Sequence, residues 1–249
     1  MRALLIITLL TFSFLSKETQ SETITIAAID WCPQICPKKQ EQGYVVDFVK
    51  EIFKDSEYQL EIQYFPWSRA IKQVLSGKVD ALLSPAKAEA PSLLFPQHEV
   101  GVQKMCFFTK VDSQWTYLDV ASLKGLQVGI AIDTSIEELN SYVVEHLEQF
   151  QFQPYHERYI LQNAGKLQKN RIDTFLFTKN STIYELMQAG IWQNYREAGC
   201  VSEAKIYMAF TPEQSSRAKV KALIEYFDRR AELLNHSSYI QQLMQNYHL

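Results

Sequence analysis

The chain has little glycine or proline, 8 of each in 249 residues, and no stretch of low complexity. That excludes fibrous and linker-rich architectures and leaves a globular protein, long enough for one large domain or two modest ones. An excess of either charge is also missing: 25 Lys and Arg stand against 28 Asp and Glu, a formal net charge of −3. With no Lys/Arg-rich stripe, no nucleic-acid partner is expected. No apolar run reaches the roughly 20 residues that cross a bilayer. The longest, Ala3 to Leu15, follows Met1-Arg2 and precedes the polar SKETQS. It reads as a secretory signal over residues 1–21, cleaved after Ser21, with an uncleaved anchor as the alternative. Motifs for familiar chemistry are absent as well: there is no G-x-S-x-G, no H-E-x-x-H and no phosphate-cradling glycine loop. No cofactor and no metal site is expected, and none of the five histidines is expected at a strand end.

There are only four cysteines. An exported chain permits disulfides, and Cys32 and Cys36, in WCPQICP, lie close enough to pair around a small loop. Cys106, in VQKMCFFTK, and Cys200 are expected to be buried thiols.

What the chain does have is a repeat. TITIAAI (23–29), the helix-spaced YVVDFVKEIFKD (44–55), LEIQYF, the short helix SRAIKQVLSG and VDALLS give β-α-β-α-β, the order of a mainly parallel sheet. Ser68 is a plausible N-cap of the second helix, and Gly77 suits its left-handed stop. The order then returns: LQVGIAID (126–133), the helical TSIEELNSYVVEHLEQ (134–149), FQFQPYH, a helical turn in AGKLQKN, and IDTFLF. Asp80 in GKVD matches Asp173 in NRID, and Asn170 takes the part of Gly77. Both aspartates are expected to serve the strand start. Extended segments at VGVQKMCFFTK and KIYMAFTP (205–212) join the repeats, and amphipathic helices from Arg217 to Leu234 and in SSYIQQLMQNYHL close the chain. The expected fold is α/β and two-lobed, each lobe a mainly parallel sheet flanked by helices, with two hinge crossings. Residues 22–109 and 204–249 form lobe 1, and 110–203 form lobe 2.

In open α/β sheets ligands sit at the carboxyl ends of the strands. Candidate ligand-binding residues are therefore Trp31, Trp67, Arg69, Ser84, Lys87, Asp133, Thr134, Ser135 and Thr178. Trp31 and Trp67 offer ring faces to a ring or an organic cation, or else pack core. Arg69 meets an anionic group or a surface carboxylate. Thr134 and Ser135 open a helix whose free N–H groups suit an anion, or simply cap it. Glu89, beside a proline, reads as a turn or helix-start residue.

ITIAAID-W, GYVVDFVKEIF, FPWSRAIKQVLSGKVDALLS, LLFP, SLKGLQVGIAIDTS, NRIDTFLF and YIQQLMQNY, in that order, resemble bacterial extracellular solute-binding proteins of the polar amino acid type, family 3. The resemblance covers essentially the whole mature chain. It implies a type II periplasmic-binding-protein fold, a periplasmic location, no enzymatic activity, a monomer, a small-molecule solute as ligand and an ABC permease in the inner membrane as partner. A ligand sensor acting on a membrane partner is the alternative, and a dehydratase-like enzyme a more distant one. Amino-acid binders of the family hold the α-carboxylate with an arginine after the third strand and the α-amino group with an aspartate in the second lobe. The matching positions here are Ala90 and Thr178, so the resemblance implies a ligand other than an ordinary α-amino acid.

Overall fold

Strands at Glu22–Ala28 (β1), Tyr58–Tyr64 (β2), Ala81–Ala86 (β3), Gly101–Lys110 (β4), Val128–Ala131 (β5), Phe150–Gln153 (β6), Thr174–Thr178 (β7) and Tyr195–Phe210 (β8) make one sheet, in the order β2-β1-β3-β8-β4-β7-β5-β6. The structure is a computed structural model that describes residues 22–37, 39–132, 137–156 and 158–247. The signal segment at 1–21 and the candidates Asp133, Thr134 and Ser135 lie outside the described residues. No described helix is long and apolar enough to cross a membrane.

Each end of the sheet is a parallel triplet, β2-β1-β3 on one side and β7-β5-β6 on the other. Between them run β4 and β8, antiparallel to each other. β8 also pairs antiparallel with β3, and β4 with β7. The repeat is therefore real, and two long strands join its copies.

Helices cover the sheet where the pattern requires them. Tyr44–Phe53 (α1) buries Val45, Phe48, Val49 and Ile52 completely, the stripe that its 3.6-residue period aligns. Phe48 and Phe53 meet Phe227 of Arg217–Leu233 (α6), and Tyr44 meets Tyr247 beyond His236–Asn246 (α7). Burying one such side chain contributes about 1.5–3 kcal/mol. Trp67–Leu75 (α2) starts two residues earlier than an N-cap at Ser68 would place it. Its N-cap is Pro66, so Ser68 sits inside the first turn and caps nothing. The remaining helices are Glu137–Glu145 (α3), Tyr159–Gln168 (α4) and Lys179–Gln188 (α5). No helix is expected from the sequence over α5, and only a turn over α4.

The matched aspartates do the same work in both halves. Thr25 N–H donates to Asp80 Oδ2 at 2.8 Å, and Gln127 N–H donates to Asp173 Oδ2 at 2.8 Å. Each aspartate stands just ahead of the inner strand of its triplet, β3 or β7, and ties it to its parallel neighbour. Asp80 also accepts the Thr25 hydroxyl at 2.9 Å and pairs with Lys219 at 2.9 Å. Gly77 and Asn170, with φ of 70° and 49°, end the preceding helices in the left-handed region.

Cys32 and Cys36 are joined, as expected, with S–S 2.23 Å. Cys106 and Cys200 are not thiols: they form a second disulfide, S–S 2.11 Å, across directly opposed positions of β4 and β8. The pairing is invisible in sequence because 94 residues separate the two cysteines. Side chains opposed across an antiparallel pair come within reach of such a bond. Replacing both cysteines, Cys106→Ser with Cys200→Ser, is expected to lower unfolding stability by about 2–4 kcal/mol. Urea denaturation under oxidising conditions checks this, and the same midpoint as the parent would contradict it.

Candidate functional site

A cavity of about 560 Å³ opens where the strand ends of both halves face each other. This falls in the range of small-molecule sites. From the first half come Ile29, Asp30 and Trp31 after β1, Phe65 and Pro66 between β2 and α2 with Trp67 opening α2, and Ser84, Ala86, Ala88 and Glu89 in and after β3. From the second half come Ala131 and Glu138, Pro154, Tyr155 and His156 after β6, and Phe177 and Thr178 at the end of β7. The joining strands supply its floor: Gln103 and Met105 of β4, and Ser202, Glu203 and Ala204 of β8.

Trp31 links the halves. It is 5% exposed, and its indole Nε1 donates to Thr178 Oγ1 at 3.1 Å. The loop behind it is stiff: Trp31 and Ile35 exchange two backbone hydrogen bonds of 2.8 and 2.9 Å, and the Cys32–Cys36 disulfide closes the turn. This loop docks on α5. Gln34 Nε2 donates to Ser181 Oγ at 3.1 Å, and Lys39 reaches the Tyr184 hydroxyl at 3.1 Å across its ring.

Ser84 is the strained residue of the site. The β3–β8 register shifts between Leu83 and Ala86, and Ser84 takes φ of 70° there. A left-handed non-glycine residue at a bulge is a way to re-aim a side chain. Ser84 is 3% exposed, lines the cavity, and its Oγ has no hydrogen-bond partner among the described residues. Nearby, Glu89 Oε2 accepts from Ala86 N–H at 2.7 Å. Burial pushes the Glu89 carboxyl up from its ordinary range, while the hydrogen bonds from Ala86 and the Gln103 side chain pull the other way. Tyr155 stacks on Phe177 with centroids 5.0 Å apart. Burial first, then the negative charges of Asp30 and Glu185, push its phenol far up, so the ring stays neutral.

Of the residues expected from the sequence, the cavity brings together Trp31, Trp67, Ser84 and Thr178. Arg69 and Lys87 do not line it. Two residues along a helix turn the side chain by about 200°, and Arg69, exposed, lies over Phe65 at 5.5 Å. Lys87 stands between the lining residues Ala86 and Ala88 and turns instead to Tyr207, 4.9 Å from its ring centroid. His156 corrects a second expectation, because a histidine does follow a strand end. Applying the strand-end rule to β6 finds Tyr155 and His156. Nothing local marks the mid-strand residues of β4 and β8. Among the described residues one set of metal-ligand types converges, Cys106, Glu197 and Cys200, and both its sulfurs are in the disulfide. The cavity offers ring faces, a free hydroxyl and carboxylates to a solute.

Trp31→Phe leaves the Thr178 hydroxyl without its donor and is expected to cost about 0.5–1.5 kcal/mol. A double-mutant cycle with Thr178→Val should return a coupling of similar size. Additive losses would show that the bond across the cavity carries no energy.

Solved structures share this fold. A histidine kinase sensor domain with similarity to periplasmic binding proteins aligns over 92% of this chain and 96% of its own, with 16% identity and a TM-score of 0.70. An ABC uptake transporter substrate-binding protein from Streptococcus pneumoniae with bound histidine aligns over 93% and 94%, with 15% identity and a TM-score of 0.69. A structure from work on glutathione import via GshT and the cystine ABC importer TcyBC of Streptococcus mutans aligns over 91% and 95%, with 19% identity and a TM-score of 0.71. These likenesses establish the type II periplasmic-binding-protein architecture. A comparison with curated protein sequences finds no match. The family model for bacterial extracellular solute-binding proteins, family 3, matches residues 30–247, and the chain belongs to that family.

Proposed function

We propose that the protein is a periplasmic, monomeric receptor that closes two lobes over one small solute and delivers it to an ABC permease in the inner membrane. Residues 22–109 and 204–249 make the first lobe and 110–203 the second. The observation that carries this reading is the cavity itself, about 560 Å³ between strand ends of both halves of the sheet. The segments that change lobe, β4 and β8, are the only two strands between the triplets among the described residues. Two such crossings permit a hinge. Its role is binding rather than catalysis, and the signal at 1–21 directs export.

The solute differs from an ordinary α-amino acid. Ala90, at the position where relatives by resemblance carry an arginine, is 4% exposed and packs with Ala70, Val74 and Leu93. Thr178, at the position of the aspartate, spends its hydroxyl on the Trp31 indole. A zwitterion closed in this cleft would leave its carboxylate unpaired, since no lysine or arginine lines the cavity among the described residues, at a cost of several kcal/mol.

A thermal-shift panel of amino acids, organic cations, carboxylates and sugars on residues 22–249 tests the receptor reading. A compound at 100 times its dissociation constant adds about 2.7 kcal/mol of stability. Calorimetry with that compound should show Trp67→Ala about tenfold weaker, whereas Arg69→Ala should stay within about twofold because it does not line the site. The reverse ranking would contradict this placement of the site, and silence across the panel would contradict the receptor reading.

A further inference from the structure

The charges and rings that line the cavity narrow the solute further, given the receptor reading. Asp30, Glu89, Glu138 and Glu203 all line it, and among the described residues no lysine or arginine does. Glu203 has Lys104 at 3.7 Å on the outer side. Glu89 is different: the donors that hold it, the Ala86 N–H and the Gln103 side chain, are neutral. A half-buried carboxylate held by neutral donors leaves its charge available to a bound cation.

The rings point the same way. Trp31 has given its N–H to Thr178, so what it retains for a ligand is its π system. Trp67, Phe65 and the Tyr155–Phe177 stack add further ring surface to the lining. Aromatic faces attract cations and gain in a desolvated site. The bulge at Ser84 adds a buried hydroxyl to the lining with no partner among the described residues. A hydroxyl both donates and accepts, so it can take an N–H from a cation held at Glu89.

The opposite ligand chemistry is poorly served. A carboxylate would sit among like charges, with Arg69 and Lys87 turned to Phe65 and to Tyr207 and Phe95. Glu138 in the first turn of α3 already complements that helix start.

We propose that the site takes an alkyl or aralkyl ammonium ion that carries N–H and no carboxylate. Glu89 neutralises it, Ser84 Oγ accepts one of its N–H bonds, and the aromatic lining covers its body. This rests on the receptor reading and adds a substrate class to it.

Matched pairs that differ by one carboxylate test the idea: putrescine against ornithine, cadaverine against lysine, and tyramine against tyrosine, by calorimetry on residues 22–249. The expected result is binding of at least one amine, at least about tenfold tighter than its carboxylated partner. Glu89→Gln should then weaken that amine by about tenfold or more. Ser84→Gly, which accepts the left-handed backbone and removes the hydroxyl, should weaken it severalfold. If the carboxylated partner binds equally or better, the amine assignment is overturned and the receptor reading stands. The same holds if no amine binds while another compound of the panel does. If nothing in either set binds, both readings fall. Unchanged amine affinity in both variants would overturn the roles given to Glu89 and Ser84.

Discussion

Everything in this molecule hangs on the antiparallel pairing of β4 with β8. Among the described residues these are the only strands between the two parallel triplets, so they, 10 and 16 residues long, join the two halves of the sheet. The ladder runs from Gly101↔Ile206 to Lys110↔Tyr195, and a disulfide fixes its middle at Cys106↔Cys200. The same strands form the cavity floor through Gln103, Met105 and residues 202–204. A covalent tie at the floor limits slippage of the register while leaving the strand ends free to bend.

A second contact between the halves is buried after β1. There the stiff loop from Trp31 to Cys36 meets α5 and the end of β7 through Trp31–Thr178 and Gln34–Ser181. Both bonds join neutral groups and are modest in energy, about 0.5–1.5 kcal/mol each. A contact of that size can be made and broken as a cleft closes and opens. The cavity and the contact between halves share a residue: Trp31 spends its polar edge on that contact and keeps its ring for the cavity.

Most of the scaffold was legible because it is written in local patterns. Alternation in TITIAAI, the helical stripe of α1 and the stops at Gly77 and Asn170 each depend on residues within a few positions. The matched Asp80 and Asp173 revealed the duplication, and the hydrogen bonds to Thr25 and Gln127 show why an aspartate is wanted in each copy. Long-range pairing was not legible. β8 was expected only from Lys205 onward, since its first ten residues, YREAGCVSEA, lack a continuous apolar alternation. Missing that half of the strand hid the partner of Cys106. α5, KNSTIYELMQ, is polar on much of its surface and buries only Ser181, Thr182, Tyr184 and Leu186, so its periodicity is weak. Of the strand-end candidates, Trp31, Trp67, Ser84 and Thr178 line the cavity. Arg69 and Lys87 do not, because the direction of a side chain depends on the turn that follows the strand.

The central claim is that a solute is enclosed between two halves joined by two strands. Small-angle X-ray scattering of residues 22–249, with and without a saturating amount of the compound that raises the melting temperature most, tests it directly. The account predicts a smaller radius of gyration with solute bound, as hinge closure requires. Superimposable curves at proven saturation would contradict it.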